Sequence, residues 1–194
     1  MKKMKKLFKK LNSKQGYTLV ELLTAMVIVI LIGLMVSTGM TVGLKVQKES
    51  IFVANSDMLA GTLNTAISDV LRYSEANYVS GDIIDGKVED PKFTNKEYSI
   101  KRGFFFVDSD GYLAISKNGV DPAYEPDPTD STDVGPDIGY LISNGVYSNK
   151  LVIRNFTISY DVDKKIYTGS YKIKEKTGTA FNKDVSFTFR TVAT

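Results

Sequence analysis

Two residues near the start of the chain have types and a spacing that could take part in chemistry. Gly16 is followed five residues later by Glu21, in the stretch Gly16-Tyr17-Thr18-Leu19-Val20-Glu21. Beyond Glu21 no charged residue occurs until Lys45, so Glu21 is a lone carboxylate heading 23 uncharged residues, Leu22 to Leu44. A carboxylate in apolar surroundings is costly and calls for a cationic partner. Gly16, with no Cβ, lets catalytic groups of another protein approach the backbone closely. Farther along, Asp127, Asp130 and Asp133 offer hard oxygen ligands of the kind calcium takes, but their spacing matches no EF-hand pattern. That segment reads as a solvated loop, with calcium as the alternative and no metal as the expectation.

Composition excludes several functions. Histidine is absent, which removes the usual general base and the commonest neutral metal ligand. Cysteine is absent too, so there is neither a disulfide nor thiol chemistry. A Ser/His or Cys/His catalytic arrangement cannot be built, no cofactor motif stands out, and the chain does not read as an enzyme. The net charge of +3 comes from seven lysines within the first 16 residues, where no acid occurs; from Tyr17 onward 18 bases face 22 acids, a net of −4. A global argument for nucleic-acid binding is therefore missing, and no basic patch with interleaved aromatics replaces it.

The uncharged run is about 34 Å long as a helix at roughly 1.5 Å per residue. It exceeds a bilayer core of about 30 Å. The lysines before it follow the positive-inside rule and place the N-terminus in the cytoplasm and the rest of the chain across the membrane. An ordinary secretory signal is also basic then apolar, but its apolar region is about 7 to 15 residues and cleavage follows it.

A short basic leader, a glycine, an aromatic residue and a glutamate as fifth residue after the glycine together resemble the type IV pilin and pseudopilin family. Here these are Met1 to Gln15, Gly16, Tyr17 and Glu21. Tyr17 stands where that family usually has Phe. The proline many members carry midway along the helix is missing, leaving Gly33, Gly39 and Gly43 as the only breakers. The resemblance implies cleavage between Gly16 and Tyr17 by a prepilin peptidase, N-methylation of Tyr17, and pairing of Glu21 with the terminal amine of a neighbouring subunit. It also implies a pilin fold, an α+β arrangement of one long N-terminal helix on a C-terminal antiparallel sheet. Other pilin subunits, an assembly machinery and the cytoplasmic membrane are the implied partners, and a surface or envelope-spanning filament is the implied destination.

In chain order, residues 1–16 are the leader and 17–44 the membrane or filament-core segment of the helix. Residues 45–76 continue it amphipathically, with Leu59, Leu63, Ala66, Ile67, Val70 and Leu71 at helical spacing. Residues 77–194 form an exported β-rich domain with an acidic loop at 119–137. Within it, Asp108-Ser109-Asp110-Gly111 supplies hairpin chemistry between Ser99–Val107 and Tyr112–Ser116. The apolar phase of Leu151–Tyr160 shifts between Ile153 and Phe156, which suggests a bulge. Asp161 and Asp163, followed by Lys164 and Lys165, read as a turn rather than a catalytic pair.

The size of the exported part resembles a minor pilin, with a pseudopilin of a secretion or DNA-uptake system as the alternative. From other classes, a membrane-tethered binding domain or enzyme that never polymerises, and an exported adhesin or DNA-binding module, stay as rivals. The pilin reading predicts a mature chain that starts at Tyr17 with a methylated amine, which mass spectrometry of the N-terminal peptide reads directly. A mature chain that starts at Met1, or beyond Ser37, contradicts it.

Overall fold

The computed structural model describes residues 18–126, 129, 132–148, 150–178 and 181–192. One helix, α1, runs from Leu19 to Arg72 over 54 residues. It carries no proline, and Gly33, Gly39, Gly43 and Gly61 lie inside it without a break. The chain divides into two units, Met1–Lys48 and Glu49–Thr194. In the first unit every described residue is exposed, and the helix there is long and apolar enough to cross a membrane.

In the second unit α1 becomes one-sided. Phe52, Ser56, Leu59, Ala60, Leu63, Ile67, Val70 and Leu71 are buried, a stripe at three- and four-residue spacing. Most of that stripe was legible from periodicity; Phe52 extends it toward the N-terminus and stacks on Phe181 at 5.6 Å. The sequence places the helix end near Ala76, but α1 stops at Arg72. No glycine or proline stops it. The last carbonyls instead find partners outside the helix: Asn95 Nδ2 donates to Val70 O at 2.7 Å and Val192 N to Arg72 O at 2.7 Å from distant parts of the chain, while Ser74 N and Oγ close a local turn on Leu71 O at 3.2 and 2.9 Å. Helix carbonyls normally left without an intrahelical partner are thus satisfied, two by tertiary contacts and one by the turn that follows.

The strands that follow are β1 (Glu75–Asn77), β2 (Lys87–Glu89), β3 (Lys92–Asn95), β4 (Ile100–Val107), β5 (Leu113–Ser116), β6 (Ile138–Tyr140), β7 (Leu151–Asp161), β8 (Ile166–Glu175) and β9 (Asn182–Arg190). All pairings are antiparallel, as the sequence suggests, and the class is α+β with a pilin-like order of elements. The sequence predicts one antiparallel sheet; the strands form two, ordered β1-β3-β4-β5-β6 and β2-β7-β8-β9. The sheets part between β6 and β7, which do not pair, and β2 leaves its sequence neighbours to join the second sheet on β7, more than sixty residues later. Such a non-local choice leaves no periodic trace.

Local chemistry explains the turns. Asp108 Oδ1 accepts from Tyr112 N at 2.7 Å across the β4–β5 hairpin, and Gly111 takes φ 86° there. A Cβ on Gly111 would lie 2.6 Å from that of Val152, while its carbonyl accepts from Ile153 N at 2.7 Å, so the hairpin sits directly on β7. The phase shift in β7 is a bulge: pairing with β8 slips between Arg154 and Thr157, and Asn155 takes φ 51°. Asp161 accepts from Lys164 N at 2.9 Å and from Lys164 Nζ at 2.8 Å, which closes the β7–β8 turn and holds its carboxyl below the usual range.

Three buried tyrosines join the layers. Tyr147 Oη accepts from Leu113 N at 2.9 Å, Tyr171 Oη lies 3.0 Å from Asn64 Oδ1 of α1, and Ser74 Oγ donates to Tyr167 Oη at 3.4 Å. Loss of water pushes the Tyr147 phenol up from 10.0 to about 12, and burial raises Tyr167 and Tyr171 as well. The unfolded chain releases these protons near pH 10 while the folded chain keeps them, so above pH 10 the unfolded state binds fewer protons and stability falls as pH rises. The expected outcome is full stability below pH 10, a progressive loss between about pH 10 and 12, and three of the eleven tyrosines ionising only as the domain unfolds. Tyrosinate absorbance followed beside circular dichroism checks this. Ionisation of all eleven before any loss of structure would contradict it.

Candidate processing and assembly site at the helix start

The helix begins where its sequence tells it to. Thr18 is the residue before Leu19, and its carbonyl accepts from Leu22 N at 3.2 Å, the first turn of α1. Thr18 Oγ1 accepts from Glu21 N at 3.3 Å, and Glu21 Oε2 accepts from Thr18 N at 3.0 Å and Thr18 Oγ1 at 3.2 Å. This is a reciprocal capping box, in which each side chain satisfies a backbone donor of the other residue. An N-cap of this kind contributes about 1 kcal/mol, and a carboxylate in the first turn also suits the positive end of the helix dipole.

Sequence reasoning found Glu21 and missed Thr18. The signal was present: Thr18-Leu19-Val20-Glu21 has the threonine-to-glutamate spacing of a capping box directly before an apolar run. Glu21 therefore has two occupations. Its Oε2 is taken by Thr18, and Oε1 has no partner among the described residues. From Glu21 to the end of the first unit the surface of α1 is exposed, with Leu22, Leu23, Met26 and Val27 at 58, 58, 61 and 48 %. A single carboxylate thus stands at the edge of a bare apolar cylinder.

Gly16 and Tyr17 lie outside the described residues. So do Asp127 and Asp130 of the calcium alternative; Asp133 accepts a hydrogen bond from Tyr124 Oη.

With this geometry in hand, the comparisons with known proteins bear on the same stretch. Residues 11–40 match the family model described as the prokaryotic N-terminal methylation motif. No curated protein and no solved structure matches the chain. The methylation motif spans the end of the basic segment, the Gly16–Tyr17 junction, the capping box and most of the uncharged run. It is the type IV pilin cleavage motif, and it supports a pilin-like substrate of prepilin peptidase that assembles with other pilins. An apolar helix carrying this motif fits membrane anchoring and a pilus-type filament.

The two occupations of Glu21 separate experimentally. Glu21→Gln keeps an acceptor for Thr18, and Thr18→Ser keeps the hydroxyl, so both should preserve the helix start. Thr18→Ala and Glu21→Ala should each weaken it by about 1 kcal/mol, read as faster amide exchange at Leu19 to Leu22 in detergent micelles. Equal exchange rates in all four variants would contradict the capping box.

Proposed function

We propose that the chain is a structural subunit of a type IV filament. In this reading it is inserted in the cytoplasmic membrane through α1 with its β-rich domain outside, cleaved between Gly16 and Tyr17, methylated at Tyr17, and drawn by an assembly machinery into a filament. The apolar halves of the helices bundle at the core, and the sheets face outward. The size of the exported part favours a minor pilin. Its role is structural, and its processing is done by another protein.

The observation that carries the reading is Glu21, one charge on an exposed helix surface otherwise free of charge to Lys45. In the membrane it sits near the interface and stays hydrated. Inside a bundle of apolar helices an uncompensated carboxylate would cost several kcal/mol. Cleavage after Gly16 creates an amine on Tyr17, and that amine on a neighbouring subunit is the cation Glu21 needs. Processing and polymerisation are then linked through one ion pair.

Glu21→Ala should still be inserted and still largely cleaved, because the Gly16–Tyr17 junction is unchanged, yet should enter sheared filaments poorly. Quantitation of the variant in sheared and membrane fractions, at matched membrane amounts, tests this. Recovery of Glu21→Ala in filaments at the wild-type level would remove the assembly role.

A further inference from the structure

The tripeptide Asn-Gly-Val occurs twice in the β-rich unit, at Asn118-Gly119-Val120 and at Asn144-Gly145-Val146. An asparagine before a glycine can react with its own backbone, because a glycine has no side chain to hinder attack of its nitrogen on the preceding carboxamide. The local sequence gives both asparagines the same tendency. The fold separates them.

Asn118 is half-buried and held at both ends of its carboxamide. Its Nδ2 donates to Gly135 O at 2.8 Å, and its Oδ1 accepts from Asp137 N at 3.2 Å and Val120 N at 3.3 Å. The backbone beside it is fixed as well: Gly119 takes φ 77°, and a Cβ there would lie 2.7 Å from Arg102 O. The carboxamide cannot swing onto Gly119 N without giving up these bonds.

Asn144 has no such restraint. It opens a single 3-10 turn, Asn144–Tyr147, and both Asn144 and Gly145 are exposed. Neither its carboxamide nor Gly145 N has a hydrogen-bond partner among the described residues. Around Gly145 there is room: a Cβ there would find nothing nearer than Ser143 Oγ, at 3.8 Å. A lone 3-10 turn has poor hydrogen-bond geometry, and an exposed one opens at little cost.

We infer that Asn144 is a site of spontaneous deamidation in the folded protein and that the fold protects Asn118 from the same reaction. Gly145 N loses its proton to solvent and attacks Cγ of Asn144. The N–Cγ bond forms, the Cγ–Nδ2 bond breaks, and Nδ2 leaves as ammonia. Water then opens the cyclic imide at one carbonyl or the other, leaving an aspartate or an isoaspartate at position 144. Either product adds one negative charge to the exposed turn, so the surface of the β-rich unit changes charge with age. The isoaspartate also lengthens the backbone by one methylene three residues before Tyr147, the buried residue whose hydroxyl accepts from Leu113 N. Nothing in this inference depends on the filament reading.

The test is incubation of the full-length chain in detergent micelles, at mildly alkaline pH in water labelled with oxygen-18, followed by peptide mass spectrometry. Label should enter at position 144 at least about tenfold faster than at 118, since each net hydrogen bond that Asn118 must break is worth a factor of several. With the β-rich unit unfolded in urea, the two rates should converge. Gly145→Ala should keep the fold, because this glycine has no positive φ and its Cβ has space, and it should slow reaction at Asn144 strongly. Three results would overturn the inference: an Asn144 that stays intact in the folded chain, an Asn118 that converts within tenfold of it, or a gap between the two that persists in urea.

Discussion

One electrostatic constraint governs the account: a carboxylate must be kept satisfied at the end of a helix surface that offers it nothing. From Leu22 to Leu44 the chain supplies no charge. The capping box answers half of the problem from within, since Thr18 gives Glu21 Oε2 two donors. The other oxygen needs something the described residues do not provide. In water or at a membrane interface, solvent serves. In a bundle of apolar helices only a cation would do, and under the proposed processing the Tyr17 amine of a neighbouring subunit would be that cation.

The second half of α1 solves a different problem, that of fixing a long helix to a folded domain without a disulfide. Burial of one stripe supplies the nonspecific part. Specificity comes from polar groups at defined points, where Asn95, Ser74 and Val192 take the last helix carbonyls and the hydroxyls of Tyr171 and Tyr167 meet Asn64 and Ser74. A buried polar group left unpaired is expensive, so each of these bonds also rejects alternative positions of the helix. Among the described residues no buried side-chain polar atom lacks a partner.

What could be read in the sequence was whatever is written locally. The apolar run, the lone glutamate, the helix stripe, the Asp108–Gly111 hairpin and the bulge after Ile153 all follow from period, turn chemistry or a break in phase. The candidate site draws notice through Glu21 because an isolated charge in an apolar run is conspicuous, and Thr18 was equally available through its spacing to Glu21. The end of α1 at Arg72 and the place of β2 in the second sheet were not legible, because both depend on partners far along the chain: Val192 for the helix end, and β7 for β2.

The central claim is the pairing of Glu21 with a neighbour's Tyr17 amine. It is tested most directly in filaments assembled from two differently labelled populations, one with carbon-13 in the Glu21 carboxyl and the other with nitrogen-15 in the Tyr17 amine, by dipolar recoupling in the solid state. The account predicts a carboxylate-to-amine contact between subunits at ion-pair distance, within about 4 Å. A carboxyl carbon that shows no recoupling to the partner population's amine, in filaments shown to contain both, would contradict it.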